Sequence, residues 1–367
     1  MDKKVRHVLG ISGGKDSAAL AIYLNDNYPD LDIEYYFCDT GKELDETYQL
    51  IESLKNRLGK KIAILEAAST SHVNSFDHYL DMFRGYLPAS NARWCTKKLK
   101  LEPFEKFVGD DPVISYVAIR DDEDREGYIS RKPNIQSIFP FRRNIWSEDV
   151  ITLVLKNNNI EKLENEYKGI FSGEQLNRVL EAVRTPVSEK YSQKEKLKTL
   201  HNLGIAHFNQ AVFNILQKTN YPMAKERNYS LLKKEVGLIR EDVFAILRST
   251  VGVPQYYNQV EFEVNGKKGT YARSRSGCFF CFFQQKIEWI WLYEQHPDLF
   301  AKAMEYEKDG YAWIENETLA EIIKPERLEK IKEDHIKKQE SNNNKNSKYL
   351  IDILEDAESE GCAACFI

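Results

Sequence analysis

The sequence contains no apolar run of the roughly 18 to 20 residues that a membrane-spanning helix needs, and its start, Met1-Asp2-Lys3-Lys4, carries no signal-peptide core. These absences argue against membrane residence and predict a protein of the cytosol, with a cytoplasmic location. Positive charge is also in short supply, because 52 Lys and Arg against 57 Asp and Glu give a net charge of −5. Such a balance argues against a protein that coats nucleic acid through its overall charge, although local Lys and Arg clusters can still bind phosphates.

Cysteine is scarce, with six residues in 367, and two pairs are spaced C-x-x-C. Disulfides are rare in the cytosol, so this usage favours metal, cluster or thiol chemistry over a disulfide framework. The six are Cys38, Cys95, Cys278, Cys281, Cys362 and Cys365. We interpret Cys38, which lies inside an apolar run, as a packing residue. The histidines, among them His72, His78 and His296, show no ligand spacing and are given no role.

The order of local patterns predicts an α/β protein with a doubly wound parallel sheet. Strand-like apolar runs at 5–11 and 33–38 flank a helix-like segment at 17–24, and further strand candidates lie at 61–65 and 113–119. A β-α-β opening implies helices on both faces of the sheet and ligands beyond the carboxyl ends of its strands. The loops that follow the strands are therefore the places to look for a site.

Changes in composition predict four segments. Residues 1–147 carry the α/β pattern, and residues 148–238 are dominated by charged, helix-forming residues that predict a helical insertion. Residues 239–324 hold a late cysteine motif and complete the α/β domain. Residues 325–367 predict a charged helix, which forms a C-terminal helical extension, and a mobile tail that contains two cysteines.

One glycine turn follows the first predicted strand, with the sequence Ser12-Gly13-Gly14-Lys15-Asp16-Ser17. Glycines let the backbone turn tightly and aim its N–H groups at an anion, and the start of a helix adds positive potential. Lys15 supplies a movable charge, while the hydroxyls of Ser12 and Ser17 can bond phosphate oxygens. A glycine turn capped by Ser or Asp would need the same residues for structure alone, but the position after the first strand favours function. The G-x-x-x-x-G-K-[ST] spacing of a Walker A loop is absent.

The hexapeptide resembles the PP-loop signature S-G-G-x-D-S of the ATP pyrophosphatase superfamily. The resemblance implies an adenine nucleotide alpha hydrolase-like fold and an enzyme that, with Mg²⁺, cleaves ATP between its α and β phosphates and transfers AMP to a substrate oxygen. It assigns catalysis to Lys15, Asp16 and Ser17, and nucleotide binding to the loop together with Asp39, Thr40 and Gly41. For Asp39, a role as a magnesium or ribose ligand and a role as a turn cap are both open.

Four further segments are similar to motifs of the phosphoadenosine phosphosulfate (PAPS) reductase family: 39–47 (D-T-G-x-E-x-x-E-T), 93–103, 119–125 and 275–281. The resemblance implies a set of cations that clamp phosphates or a sulfate-like anion, although each alone is an ordinary surface charge. These cations are Arg93, Lys97, Lys100, Arg120, Arg125, Arg273 and Arg275. Reductases that bind a ready-made nucleotide typically lack the intact Gly-Lys-Asp-Ser ending, so the intact loop favours ATP turnover. The sequence resembles in particular the sulfur-transfer component of DNA phosphorothioation systems.

The same resemblance implies a 4Fe-4S cluster, of which three irons would be held by thiolates and one would stay open for a sulfide. The implied ligands are Cys95, Cys278 and Cys281. Trp94 stands where cluster-bearing reductases have the first member of a Cys-Cys pair. Cys362 or Cys365 would be a fourth ligand or a swinging thiol, although the E-C-G context of the reductases is absent. A Zn²⁺ site and buried free thiols are the structural alternatives.

The sequence thus predicts an ATP-dependent sulfurtransferase that adenylates a nucleic-acid atom or a small substrate, after which cluster-bound sulfur displaces AMP. Two alternatives stay open: a sulfonucleotide reductase with a C-terminal cysteine, and an ATP-binding, non-catalytic subunit of a defence or modification complex. The resemblance implies a cysteine desulfurase as sulfur donor and a nucleic acid or nucleic-acid-modifying complex as partner. The sequence does not indicate an oligomeric state.

Overall fold

The structure is a computed structural model that describes residues 3–124, 129–308 and 310–344, the last four of these by backbone alone. The strands are β1 (Arg6–Gly10), β2 (Ile33–Asp39), β3 (Ile62–Glu66), β4 (Val113–Tyr116), β5 (Ile135–Ile138), β6 (Val260–Val264) and β7 (Lys267–Tyr271). The α-helices are α1 (Lys15–Asn27), α2 (Asp45–Leu58), α3 (Ser75–Met82), α4 (Trp94–Thr96), α5 (Glu102–Val108), α6 (Glu148–Leu155), α7 (Ile160–Ile170), α8 (Gly173–Arg184), α9 (Gln193–Leu203), α10 (Ile205–Leu216), α11 (Arg240–Arg248), α12 (Lys286–Gln295), α13 (Pro297–Glu305), α14 (Leu319–Ile322) and α15 (Pro325–Asn344). Within these described ranges, no helix has both the length and the apolarity to cross a bilayer.

The first five strands form a parallel sheet with the order β3-β2-β1-β4-β5, which confirms the predicted α/β fold. The pairing register places Arg6 of β1 opposite Val113 of β4, and Tyr35 of β2 opposite Ile62 of β3. The chain moves outward from β1 in one direction to β2 and β3, and later in the other direction to β4 and β5. In doubly wound sheets, ligands bind at the carboxyl ends of the strands where the direction reverses, and β1 stands at that point here.

The structure adds three strands that the sequence patterns did not predict. All four residues of β5 are buried, but Gln136 and Ser137 interrupt its apolar run, so periodicity gave no strand signal. The hairpin β6–β7 turns through Asn265 and Gly266, whose φ angles of 49° and 73° lie in the left-handed region. An Asn-Gly pair between alternating residues is a strong hairpin signal, so this hairpin was predictable from the sequence.

The chain divides into two compact units, of which the first consists of residues 1–10, 20–34 and 108–243. It contains β1, β4 and β5 and the helices α6 to α10. From 148 to 238, the described structure consists of α-helices and short 3-10 turns, so the predicted helical character of this segment is confirmed. Trp146, Val150 and Leu216 are among the fully or almost fully buried residues of the first unit.

Among the described residues, the second unit consists of 11–19, 35–107, 244–308 and 310–344. Its hydrophobic core is rich in aromatic rings, and Phe280 lies 4.5 Å from Phe76 and 4.7 Å from Trp313 between ring centroids. The aromatic residues of the late cysteine motif therefore serve first as core. The two units cut across the four predicted segments, whose boundaries as domains stay a prediction. The charged helix predicted after residue 324 is α15.

Candidate phosphate-binding site

The predicted phosphate loop joins β1 to α1 and is closed by its own hydroxyl groups. The Ser12 N–H donates to Ser17 Oγ at 3.0 Å, and the two serine hydroxyls lie 3.1 Å apart. The Gly14 N–H donates to Ser12 Oγ at 3.4 Å. Because α1 begins at Lys15, the loop also lies at the positive end of a 13-residue helix.

Both glycines of the loop are required by the close approach of neighbouring side chains. Gly13 has φ +75°, and a Cβ there would lie 2.3 Å from Cγ2 of Thr47. A Cβ on Gly14 would lie 2.6 Å from Oγ of Ser276. Real Cβ atoms essentially never approach other atoms so closely, so the loop is fitted between α2 and the segment that carries Ser276.

Lys15 and Asp16 form a buried ion pair at the start of α1. Lys15 is 2% exposed, and its Nζ lies 3.0 Å from Asp16 Oδ2. The Lys15 N–H donates to the hydroxyl of Tyr257 at 3.3 Å, and Nζ lies 5.5 Å from the centroid of that ring. Buried ion pairs contribute little net stability, because desolvation offsets their attraction. The position of this buried pair in a glycine turn therefore favours a functional role for the two charges.

The loop after β2 has a side-chain cap. Asp39 Oδ1 accepts hydrogen bonds from the Gly41 N–H at 2.8 Å and from the Tyr48 hydroxyl at 2.9 Å, so Asp39 does act as a turn cap. The Thr40 hydroxyl donates to Glu43 Oε1 at 2.7 Å. Gly41 has φ +77°, and a Cβ there would lie 2.5 Å from Cβ of Asn74. This loop is as tightly constrained as the phosphate loop.

Glu43 is a buried carboxyl group to which the sequence analysis gave no role of its own. Burial, which is the largest cause, and the nearby Asp39 carboxylate together raise the pKa of Glu43 from 4.5 to about 7, while the Thr40 hydrogen bond and Lys100 oppose the rise. A carboxyl group poised near neutral pH in a site of this kind is a candidate for proton transfer.

The raised pKa of Glu43 predicts a loss of stability with rising pH. The folded pKa of about 7 exceeds the unfolded value of 4.5, so the folded state binds more protons between these pH values. This contribution, at most about 3 kcal/mol, is present at pH 4.5 and is lost as the pH rises through 7. Glu43→Gln is expected to flatten the decline, as measured by urea unfolding from pH 5 to 8.

A matched control for this prediction is Glu52→Gln, which changes an exposed carboxylate on α2. It should keep the pH dependence of the parent protein. If Glu43→Gln shows the same slope as Glu52→Gln, the Glu43 carboxyl group titrates alike in the folded and unfolded chains.

Of the predicted cations, Arg273 is the most deeply buried in the second unit, at 1% exposed. Its Nη2 donates to the Cys278 carbonyl at 3.1 Å, and its guanidinium carbon lies 5.9 Å from the centroid of the Trp291 ring. Its Nε and Nη1 have no hydrogen-bond partner among the described residues. A buried guanidinium with unsatisfied N–H groups is costly unless an anion binds it.

The segment that carries Arg273 is attached to the phosphate loop at two points. The Arg273 N–H donates to the Tyr256 carbonyl at 2.9 Å, and the Tyr256 hydroxyl donates to the Gly13 carbonyl at 2.8 Å. The Ser276 hydroxyl donates to the Ser12 carbonyl at 3.4 Å. The segment that carries Arg273 is therefore bonded to the loop, and the phosphate-binding role of Arg273 stays a prediction.

Arg93 and Arg275 share one aromatic partner. Their guanidinium carbons lie 4.9 Å and 5.7 Å from the centroid of the Phe283 ring. Lys97 is exposed, and Lys100 lies close enough to lower the pKa of both Glu43 and Cys278. A phosphate-binding role for these four cations stays a prediction.

Arg120 belongs to the first unit and is fully buried there. Its Nε lies 2.9 Å from Asp122, and its Nη1 lies 2.9 Å from Glu123. Two carboxylates of its own loop therefore neutralise the charge of Arg120, which gives this residue a structural role. Its predicted contact with phosphate stays a prediction. Arg125 lies outside the described residues.

The cysteines differ sharply in their surroundings. Cys38 is buried, its thiol donates to the Lys100 carbonyl at 3.6 Å, and burial raises its pKa to about 12, which agrees with a packing role. Cys278 Sγ lies 3.2 Å from Thr40 Oγ1, and burial raises its pKa well above the ordinary value. The Cys281 N–H donates to the Cys278 carbonyl at 3.1 Å in a tight turn.

These surroundings do not fit the predicted cluster. Across residues 3–124, 129–308 and 310–340, no three His, Cys, Asp or Glu side chains form a group that could hold a metal ion, so Cys95, Cys278 and Cys281 do not form one. Thiolates are the metal-binding form of cysteine, and burial disfavours that form at Cys278. The proposed fourth ligands, Cys362 and Cys365, lie outside the described residues.

A pocket of about 620 Å³ opens beside the loop after β2. On one side it is lined by Gly41, Glu43 and Tyr48, and on the other by residues of α13 and its end, including Lys302 and Tyr306. Its volume is in the range of small-molecule sites. Because Gly41 lines it, the pocket adjoins the segment predicted to bind the nucleotide.

Residues 6–168 match the family model of the phosphoadenosine phosphosulfate reductase domain. This match supports the resemblance to the PP-loop and PAPS reductase family over that stretch, where a parallel sheet and an intact glycine loop are also seen.

Three curated relatives are similar to parts of the chain. The uncharacterized proteins MJ0066 and MJ0973 of Methanocaldococcus jannaschii are 32% identical over 154 residues and 25% identical over 163 residues. Argininosuccinate synthase of Pelagibacter ubique is 30% identical over 174 residues. The matches cover 38%, 41% and 43% of this chain, and they span only 30%, 37% and 42% of the respective relatives. The particular resemblance to DNA phosphorothioation components stays a prediction.

Proposed function

We propose that this chain is an AMP-forming ATP pyrophosphatase that activates an acceptor by adenylation. The observation that carries the proposal is the burial of the Lys15 side chain in a glycine turn that opens a helix. A second buried cation, Arg273, lies in a segment that is bonded to this turn through Tyr256 and Ser276. Charges buried at this cost favour an anionic ligand, and the intact S-G-G-x-D-S sequence favours ATP as that ligand.

The chemistry follows from where charge develops. Cleavage between the α and β phosphates transfers AMP to an acceptor oxygen and leaves negative charge on pyrophosphate. The Lys15 ammonium, the amides at the start of α1 and the Arg273 guanidinium would stabilise that charge without acting as a base. Mg²⁺ usually binds substrate phosphates and one or two carboxylates, and Asp39 at the end of β2 is the carboxylate that fits this role. Magnesium would neutralise phosphate charge.

The 620 Å³ pocket is the proposed acceptor site. It adjoins Gly41, and it contains Glu43, whose pKa of about 7 lets the carboxyl group accept a proton from an acceptor hydroxyl near neutral pH. Part of its lining comes from α13, beyond the stretch that matches the family model, so the acceptor is expected to be particular to this chain.

We propose sulfur transfer as the step that follows adenylation. A thiol-bound persulfide received from the donor attacks the adenylated atom, and AMP leaves with the acceptor oxygen. A second thiol then cleaves the sulfur–sulfur bond and is oxidised to a disulfide. The match to a PAPS reductase domain supports sulfur chemistry, and Cys278 supplies a thiol in contact with Thr40. A cysteine desulfurase is the proposed donor, and a nucleic acid or nucleic-acid-modifying complex the proposed partner. Transfer of ³⁵S from labelled cysteine to a co-purifying acceptor, dependent on ATP and on a desulfurase, would test this step. Label that transfers equally well without ATP would contradict it.

The products of ATP cleavage test the proposed reaction directly. With MgATP labelled at the α phosphate, the chain is expected to form AMP and pyrophosphate, with water as the acceptor when no other is present. Asp16→Ala should reduce this rate by about 100-fold, because it removes the partner of the buried Lys15 ammonium and misplaces that charge. Chromatographic separation of labelled AMP from ADP provides the measurement.

Asp26→Ala, at the opposite end of α1, serves as the matched control and should retain the parent rate. Formation of ADP and phosphate would contradict the proposal. So would ATP binding without any turnover when the co-purifying acceptor is supplied, since that result would indicate a non-catalytic ATP-binding subunit.

A further inference from the structure

The peptide between Gly13 and Gly14 decides which hydrogen-bonding group the loop presents to an anion. Gly13 lies in the left-handed region with φ +75°, and neither glycine has a side chain to resist rotation of the peptide plane. This peptide is trans, so its C=O and N–H point in opposite directions. A flip would replace a donor with an acceptor, which would repel phosphate.

A tyrosine hydroxyl holds this peptide in one orientation. The Tyr256 hydroxyl donates to the Gly13 carbonyl at 2.8 Å, while the Gly14 N–H points the other way and donates to Ser12 Oγ at 3.4 Å. Tyr256 is 1% exposed, and burial raises its pKa well above the ordinary value. The hydroxyl therefore keeps its proton and remains a donor throughout the physiological pH range.

Tyr256 is itself fixed from several sides. It lies in a short 3-10 turn, Gln255–Tyr257, its carbonyl accepts the Arg273 N–H at 2.9 Å, and its ring lies 4.6 Å from that of Tyr257 between centroids. A donor held this rigidly can impose its geometry on a flexible glycine peptide. The tyrosine lies 243 residues from Gly13 and beyond the stretch that matches the family model.

We propose that Tyr256 is a positioning residue of the phosphate loop: it fixes the Gly13–Gly14 peptide with the Gly14 N–H directed to Ser12 Oγ and the carbonyl directed to the tyrosine, which is the arrangement in which the loop would bind the diphosphate of the nucleotide. This inference rests on the proposed binding of ATP at the loop. Tyr256 acts through the glycine peptide and does not itself contact the ligand.

Titration calorimetry on the full chain tests this role with MgATP and with inorganic pyrophosphate as probes. Tyr256→Phe is expected to raise the dissociation constant of both by about 10-fold, while the fraction of binding-competent protein stays at the parent value. A variant that is merely destabilised would show the reverse, with fewer binding sites at an unchanged dissociation constant. Tyr271→Phe, which loses a hydroxyl bond to Glu294 in the same unit, should bind as the parent does.

Two unnatural side chains at position 256 make the test independent of the stability of the Phe variant. p-Aminophenylalanine keeps an N–H donor in place of the hydroxyl and should restore binding, whereas p-methoxyphenylalanine has no donor and should bind about 10-fold more weakly. Equal dissociation constants for these two variants, or for Tyr256→Phe and Tyr271→Phe, would overturn the positioning role. Parent protein that binds neither probe would instead refute the proposed function.

Discussion

Replacing Gly13 with alanine is expected to abolish measurable ATP binding, with an affinity loss of at least about 100-fold. Two physical effects combine. Gly13 has φ +75°, where an alanine costs about 1 to 2 kcal/mol. Its Cβ would also lie 2.3 Å from Thr47 Cγ2, and relieving such overlap typically costs about 1 to 3 kcal/mol. Because the shift displaces the peptide that presents the Gly14 N–H, the cost falls on the anion site.

Gly59→Ala is a control that has the backbone strain of Gly13→Ala without its steric clash. Gly59 has φ +61°, and a Cβ there meets nothing within 4 Å, so this variant should lose about 1 kcal/mol of stability and bind ATP normally. Adding Thr47→Ser to Gly13→Ala removes the clashing methyl group and should recover part of the affinity. Calorimetry on the parent, Gly13→Ala, Thr47→Ser and the variant with both changes provides the double-mutant cycle, with Gly59→Ala as the separate control. Gly13→Ala that binds ATP as tightly as Gly59→Ala would show that the loop is not the nucleotide site.

The fold and the loop could be predicted because their signals are local in sequence. Apolar runs marked β1 to β4, and the glycines and Lys15 stand together in six residues at the end of the first strand. The same locality explains a miss. The four-residue β5 contains two polar residues, so its burial comes from neighbouring strands and not from an apolar pattern of its own.

The residues that close the loop could not be predicted, because their contacts are distant in sequence. Tyr256, Tyr257 and Ser276 lie 243, 242 and 264 residues from the loop residues they bond. Ser276 lies in the 275–281 motif, but nothing in the local sequence of Tyr256 or Tyr257 distinguishes these two residues from core or surface residues. Glu43 was part of a quoted motif, but its importance comes from burial beside Asp39, which only the folded chain reveals.

The cations show the limit of counting charges. Arg120 is followed by Asp121, Asp122 and Glu123, and this acidic sequence was a visible sign that its charge would be neutralised locally. Arg273 has no acidic neighbour within five residues of sequence, and the structure confirms that it is buried with two nitrogens unsatisfied among the described residues. Local charge balance would therefore have predicted which of these two arginines has its charge neutralised by nearby carboxylates.

The unsatisfied guanidinium of Arg273 leads to an expected result for Arg273→Met, which replaces the charged side chain with an apolar, unbranched one. ATP affinity should fall by about 100-fold, equivalent to about 2.7 kcal/mol, because a charge-assisted contact with phosphate is lost. Stability without nucleotide should change by less than about 1 kcal/mol or increase, since the variant removes a buried charge whose Nε and Nη1 lack partners. Arg248→Met, which changes an exposed arginine 5.5 Å from the Phe244 ring centroid, should alter neither quantity.

The two measurements on Arg273→Met are informative because opposite roles predict opposite signs. A structural arginine, stabilised by the Cys278 carbonyl and the Trp291 ring, would cost several kcal/mol to remove in urea unfolding and would leave the affinity of the folded fraction intact. A ligand-binding arginine destabilises the free protein, because its charge is buried without an anion. Its removal should therefore leave the stability of the free protein unchanged or higher and lower the affinity for the anion. A large loss of stability with an unchanged dissociation constant would therefore place Arg273 in the scaffold and leave Lys15 and the amides of α1 as the anion site.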